Sequence, residues 1–257
     1  MSYEIDLTGH RALVTGGGQG VGEEIARTLA QAGAEVLVND LVEERAQRVV
    51  DGIVADGGQA RPAVFDVTDY PAVLAAIEEK GPVDILVNNA GNAGRATTMG
   101  MEDLARLVDT DPADWEGFIR VNLYGVMYAV RAALPGMIEA NWGRVVTVIS
   151  DTARVGETHM PAYSAAKAGA AGFCRSVARE VGRHNITVNC VALGTMNTQG
   201  IPPEEDEIAA PMLKRYAIRR RGLPRDIAAM VTFLSSPQAE WITGQTYPVN
   251  GGYSFSL

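Results

Sequence analysis

The stretch Ala12-Leu-Val-Thr-Gly-Gly-Gly-Gln-Gly-Val-Gly22 passes from an apolar β-type run through a glycine-rich turn into residues of helical periodicity. Glycine lets a chain turn tightly and bring backbone amides close to an anion at the start of a helix. A glycine-rich loop alone is a weak signal, but set between a strand and a helix it points to a dinucleotide phosphate site. The next apolar run, Val36-Leu-Val-Asn-Asp40, ends in a carboxylate. It falls about 20 residues after the loop, where an acceptor for a ribose 2′-hydroxyl is expected. A carboxylate there accepts from the ribose and repels a 2′-phosphate. Asp40 can also cap the helix that begins near Glu43.

Beyond this opening unit, short β-type runs and amphipathic stretches alternate almost to the end of the chain. Strands are expected at residues 12–15, 35–39, 61–65, 84–88, 143–150, 187–192 and 246–249, rich in β-branched residues and lacking polar alternation. That composition suits strands buried on both faces of a parallel sheet. Helices are expected at 22–32, 43–55, 71–80, 121–140, 162–183 and 225–235. The alternation implies one α/β domain over residues 1–257, a doubly wound parallel seven-stranded sheet of Rossmann type with helices on both faces. Two long connections, 92–115 and 195–216, follow strand ends on the ligand-binding side and are candidate pocket walls.

Composition narrows the function. The chain has 257 residues, 47% of them hydrophobic, and no leading basic and apolar segment or bilayer-length run, so a cytoplasmic protein with no membrane partner is expected. A net charge of −9 argues against nucleic acid as a partner. Cys174 and Cys190 show no paired spacing and read as reduced core residues, and no His, Cys and carboxylate cluster suggests a metal. The basic run Arg219-Arg-Arg221 reads as a helix-end or interface feature.

Chemistry enters at Pro161-Ala-Tyr-Ser-Ala-Ala-Lys-Ala-Gly169. On a helix Tyr163 and Lys167 share one face, about a turn apart. An ammonium beside a phenol stabilises the phenolate and is expected to lower the tyrosine pKa, which suits a general acid/base.

Together these motifs resemble the short-chain dehydrogenase/reductase family in its compact one-domain form, over residues 7–253. The resemblance implies that Gly16, Gly18, Gln19, Gly20, Val21 and Gly22 hold the pyrophosphate of a nicotinamide dinucleotide. Asp40 and Leu41 would meet the adenosine ribose, Asp66 and Val67 the adenine edge, and Asn88, Ala90 and Gly91 would line the cofactor. With Asp40 present and no basic residue at Gln19, the implied cofactor is NAD. Ser150 would bond the substrate oxygen, Tyr163 would move its proton, and Lys167 would tune Tyr163 and hold the nicotinamide ribose. Asn122 would distort its helix and position a water against the lysine. Gly194, Met196 and Thr198 match the segment whose backbone meets the nicotinamide amide and whose final threonine bonds the amide or the pyrophosphate. The family commonly has proline before that glycine and this chain has Leu193, which frees one backbone N–H and loosens φ. The family also implies a homotetramer through the helices at 121–140 and 162–183.

The small-molecule substrate is less legible. Its pocket is expected between residues 92–98, 151–161 and 196–216. Ser150-Asp-Thr-Ala-Arg-Val-Gly156 resembles the variant found in dehydrogenases of cyclic hydroxyacyl-CoA thioesters. Asp151 and Arg154 are expected to pair with each other in preference to touching substrate, and His159 to be exposed. Met99, Met101 and Leu104 are candidates for a flap.

Overall fold

The computed structural model describes residues 4–94, 104–198 and 210–255. Its strands are β1 (Arg11–Thr15), β2 (Glu35–Asp40), β3 (Gln59–Val64), β4 (Ile85–Asn88), β5 (Gly143–Ser150), β6 (Ile186–Leu193) and β7 (Thr246–Val249). They form one sheet in the order β3-β2-β1-β4-β5-β6-β7, with every pairing parallel. The main helices are α1 (Gly20–Gln31), α2 (Glu43–Ala55), α3 (Tyr70–Lys80), α4 (Trp115–Ile119), α5 (Gly125–Ala140), α6 (Thr152–Val155), α7 (Pro161–Val181), α8 (Ala210–Leu213) and α9 (Pro224–Leu234). This is the expected doubly wound seven-stranded Rossmann-type sheet.

Alternation along each strand feeds two apolar layers. Leu13, Leu37, Leu86, Val145 and Val188 pack into one layer, and Val14, Val36, Val87, Val146 and Val191 into the other. Burial of such a side chain stabilises by about 1.5–3 kcal/mol. All eight residues of β5 are buried, whereas β7 is half-buried throughout. Burial on both faces therefore holds for the central strands and not for the edges. Edge strand β3 lies at 59–64 rather than 61–65 and carries Pro62, tolerated where no outer neighbour needs its missing N–H.

Strand order reverses between β1 and β4, and at such a point the carboxyl ends part to form a crevice. The glycine loop, Asp40, Asn88 and Ser150 all end or follow strands on that edge. Among the described parts of the two long connections are two short 3-10 turns, α4 and α8, with no strand. Residues 95–103 and 199–209, including Thr98, Met99 and Met101, lie outside the described residues. The basic run acts at a helix start: Arg220 grips Asp226, in the first turn of α9, through contacts of 2.6 and 3.1 Å. Cys174 and Cys190 are free and buried. No helix among the described residues is long and apolar enough to cross a membrane.

Candidate active site

The loop between β1 and α1 is held by polar side chains at strand ends. Gly16 N donates to Asn39 Oδ1 (3.2 Å), and Gly17 N donates to the Asn39 carbonyl (2.6 Å). Asn89 Nδ2 donates to the carbonyls of Thr15 (3.1 Å) and Gly16 (2.9 Å). Thr15 Oγ1 accepts from the amides of Asn89 and Ala90, both at 3.1 Å. Asn39, Asn89 and Thr15 were not expected as site residues. The available signal was a polar residue ending an apolar strand, because a buried polar group needs partners.

Whether this cradle fits a dinucleotide is decided by what its glycines exclude. A Cβ on Gly18 would stand 2.5 Å from Asp40 Oδ2 and 2.8 Å from Arg45 Cβ, so only a bare backbone passes that point. Gln19, exposed and extended, caps α1 without a side-chain bond, leaving the first-turn amides directed at the crevice. Asp40 is buried, its Oδ1 accepting from Val42 N (3.0 Å), while Leu41 beside it is exposed. Asp66 is exposed and turns back to the Thr68 amide (2.8 Å); Val67 is buried beside Gly125. A Cβ on Gly20 would lie 3.4 Å from Thr198 Cβ, so the segment after β6 reaches the phosphate loop. Val21 and Gly22 are buried in the first turn of α1. The bare backbone at Gly18, the start of α1 and the Asp40 carboxylate beside them fit a pyrophosphate with a ribose at its edge.

Arg48, also unforeseen, reaches the loop from α2. Its Nη2 donates to the Gly18 carbonyl and to Glu23 Oε2, both at 2.8 Å, while Nη1 donates to Glu23 Oε1 (3.1 Å). This guanidinium is committed to a carboxylate rather than held out toward a phosphate.

On the other side of the crevice, Pro161 opens α7, a position that needs no N–H. The buried stripe of α7 is Ala166, Lys167, Ala170, Ala171, Cys174, Val177, Ala178 and Val181. Lys167 is the one cation in that stripe. Its Nζ donates to the Val148 carbonyl (2.9 Å), and burial lowers its pKa to about 8, with a small opposing effect from Cys190. Tyr163 lies one turn earlier, its ring edge-on to Phe118. Burial raises the phenol above its ordinary value, and a hydrogen bond with Ser150 partly offsets the rise.

The expected lowering of Tyr163 by Lys167 is therefore corrected. The ammonium is directed to a strand carbonyl, and desolvation dominates the phenol. In the protein alone Tyr163 is a neutral acid.

The helix distortion expected at Asn122 is present. Residues Arg120–Tyr124 form a π-turn between α4 and α5, and Asn122 is fully buried within it. Its Nδ2 donates to the carbonyls of Asn92 (2.8 Å) and Phe118 (2.9 Å), and its Oδ1 accepts from Asn92 N (3.1 Å). A Cβ on Gly91 would stand 3.2 Å from Asn122 Oδ1 and 3.4 Å from Lys167 Nζ. Gly91, Asn122 and Lys167 thus converge. Ala90 follows Asn88, whose buried Nδ2 donates to Thr147 Oγ1 (3.2 Å) and whose Oδ1 has no partner.

Next to Ser150 the charged pair is internal. Asp151 Oδ1 accepts from Arg154 Nη1 (2.7 Å), and Asp151 Oδ2 accepts from Asn250 Nδ2 (2.9 Å). Arg154 also donates to Ser254 Oγ (2.8 Å) and the Phe255 carbonyl (3.2 Å), pinning the C-terminal segment to the strand exit. Asp151 and Arg154 thus serve as a tether. His159 differs from expectation: it is partly buried, left-handed (φ 65°), and its Nδ1 is buried without a partner. No group of three His, Cys, Asp or Glu suited to a metal occurs among the described residues.

A family model described as enoyl-(acyl carrier protein) reductase matches residues 16–254. A 3-oxoacyl-acyl-carrier-protein reductase of Vibrio cholerae is 38% identical over 249 residues, covering 96% of this chain and 98% of that protein. The chain belongs to the short-chain dehydrogenase/reductase family. It is an oxidoreductase of that family, built to take a nicotinamide cofactor. A 7alpha-hydroxysteroid dehydrogenase of Escherichia coli is 36% identical over 256 residues, with 98% and 96% covered. The crystal structure of a 3-oxoacyl-acyl-carrier-protein reductase with bound NAD from Brucella melitensis superposes with a TM-score of 0.89 at 31% identity. That match covers 98% of this chain and 94% of the other.

Proposed function

We propose that this chain is an NAD(H)-dependent enzyme interconverting a secondary alcohol and a ketone, with Tyr163 as the general acid/base. The observation that supports the reading is that Tyr163 bonds Ser150 at the end of β5 while Lys167 and Asn122 both approach Gly91, just after β4. A bound nicotinamide supplies the hydride acceptor or donor at that face. Tyr163, neutral and partly shielded from water, gives its phenolic proton to the carbonyl oxygen as charge develops there. Ser150 donates a second hydrogen bond to the same oxygen. Lys167, its pKa lowered by burial to about 8, is the proposed proton reservoir behind Tyr163. Asn122, locked in its π-turn against Gly91, is proposed to hold a water that touches Lys167 and connects it to solvent. In the oxidative direction the same groups run in reverse.

Preference for NAD(H) rests on Asp40 facing Gly18 and on Arg48 being paired with Glu23 rather than free for a 2′-phosphate. Gly16, Gly18, Gln19, Gly20, Val21, Gly22, Asp40, Leu41, Asp66, Val67, Asn88, Ala90, Gly91, Gly194, Met196 and Thr198 are the proposed cofactor contacts. The substrate proposed is a hydroxyacyl-CoA or other alicyclic hydroxy compound. A steroid, polyol or 3-oxoacyl thioester is the second reading, supported by the names of the relatives. The proposal includes a cytoplasmic homotetramer joined through α5 and α7.

The test follows NADH and NADPH absorbance with a panel of cyclic hydroxyacyl-CoA thioesters, 3-oxoacyl thioesters, hydroxysteroids and polyols. Turnover with NAD(H) is expected, and Tyr163→Phe should lower it by at least about 100-fold while leaving NADH affinity nearly unchanged. Near-normal turnover in that variant refutes the assignment. Tight NADH binding with no turnover of anything would favour a sensing protein.

A further inference from the structure

The backbone that follows β6 is held by a side chain from well downstream. Tyr216 is buried, and its hydroxyl accepts from Thr195 N (3.0 Å) while donating to Thr195 Oγ1 (3.1 Å). Its ring leaves no slack at the preceding residue: a Cβ on Gly194 would stand 3.1 Å from the Tyr216 hydroxyl and 3.2 Å from Cε1. On its other side, Thr195 O accepts from Gly222 N (2.9 Å), and Asn197 N donates to Gly222 O (2.8 Å). The turn Gly194–Thr195 is thus clamped between a phenol and a strand-like pairing, and it leads directly to Met196 and Thr198.

The clamp continues toward the catalytic helix. The Tyr216 ring packs on Tyr253 at 5.0 Å between centroids, and Arg215 lies over the Tyr253 ring at 4.6 Å. Tyr253 donates to Glu157 Oε2 (2.6 Å), in the segment joining α6 to α7. Arg215 also faces Glu157 at 3.8 Å. Two packed phenols therefore join the turn after β6 to the wall that precedes Tyr163.

We infer that Tyr216 is a positioning residue for the nicotinamide half of the cofactor, holding the Thr195 backbone in the place where that half is received. The inference rests on the proposed placement of the nicotinamide at Gly194–Thr198. Leu193 leaves this turn freer than a proline would, and the Tyr216 hydroxyl supplies the missing restraint. The adenosine half is proposed to bind at Gly18 and Asp40, away from this hydroxyl.

The test compares the affinities of the whole chain for NADH and for AMP, a probe of the adenosine half alone. Tyr216→Phe keeps the ring and removes one bridging oxygen. It should weaken NADH by about 3- to 10-fold, the scale of a hydrogen bond lost, and leave AMP within about 2-fold. Tyr253→Phe breaks the bond to Glu157 but not the bonds to Thr195, and should leave the NADH-to-AMP ratio unchanged. An unchanged ratio in Tyr216→Phe, or an equal change in Tyr253→Phe, overturns the inference. If the wild-type chain gains no affinity from the nicotinamide half, the placement itself falls and takes the inference with it. If the wild type gains affinity and Tyr216→Phe keeps that gain, only the role of Tyr216 falls.

Discussion

Replacing Lys167 by Met should make the resting protein more stable while abolishing its chemistry. Lys167 sits in an apolar stripe with its ammonium on the Val148 carbonyl, and its pKa falls from 10.5 to about 8. At about 1.4 kcal/mol per pH unit, that difference is a penalty of about 3 kcal/mol for folding with the charged form. The sign follows from proton binding. Between pH 8 and 10.5 the unfolded chain holds more protons at this site than the native one, so stability rises with pH across that window. Below about pH 8 the penalty is fully present. Between about pH 7 and about pH 9.5 the wild type should therefore gain about 2 kcal/mol from this group. Lys167→Met keeps the packing, loses one hydrogen bond worth about 1 kcal/mol, and has nothing there to titrate. At about pH 7 it should be more stable than the wild type by about 1–2 kcal/mol, and at about pH 9.5 that advantage should vanish. Urea unfolding followed by circular dichroism without nucleotide reads both values. Other titrating groups are common to the two proteins and cancel in the difference. A gap that stays constant to within about 0.5 kcal/mol across this range would mean that the ammonium is not strained by burial.

Two further outcomes follow from packing. Gly18→Ala places a methyl against Asp40 Oδ2 and Arg45 Cβ, and should weaken NADH binding by at least about 10-fold in titration calorimetry, since the clash lies inside the cradle. Binding within about 2-fold of wild type would show that the loop has room to spare. Arg154→Ala takes the guanidinium from the buried Asp151 carboxylate, which keeps its bond from Asn250, and removes the bonds to Ser254 Oγ and the Phe255 carbonyl, at a cost of about 2–3 kcal/mol. Denaturant unfolding measures that cost, and a loss below about 0.5 kcal/mol would mean that the pair does not hold the C-terminal segment.

Much of the molecule was legible because local patterns with a physical cause carry it. The β1 loop, the carboxylate ending β2, the i, i+4 spacing of Tyr163 and Lys167 and the apolar strands each read directly from neighbours in the chain. The pairing of Asp151 with Arg154 was legible for the same reason, both residues lying within one turn. Distant contacts were not. Asn39, Asn89 and Arg48 act on the glycine loop from other elements, and Tyr216 reaches Thr195 across a span with no local signature. The protonation of Tyr163 also depends on distance, because spacing puts the ammonium on the same face but does not say which oxygen it meets.

The sequence by itself determined the order of elements, the doubly wound sheet and the residue types available for hydride chemistry. Periodicity and glycine placement are properties of short stretches, and they survive without knowledge of the whole. Tertiary structure alone decided which acceptor the Lys167 ammonium would take, how deeply the Tyr163 phenol would be desolvated and what would hold the turn after β6. Those depend on which atoms remain within a few ångströms once water has been excluded, and that is set only when the whole sheet has closed around them.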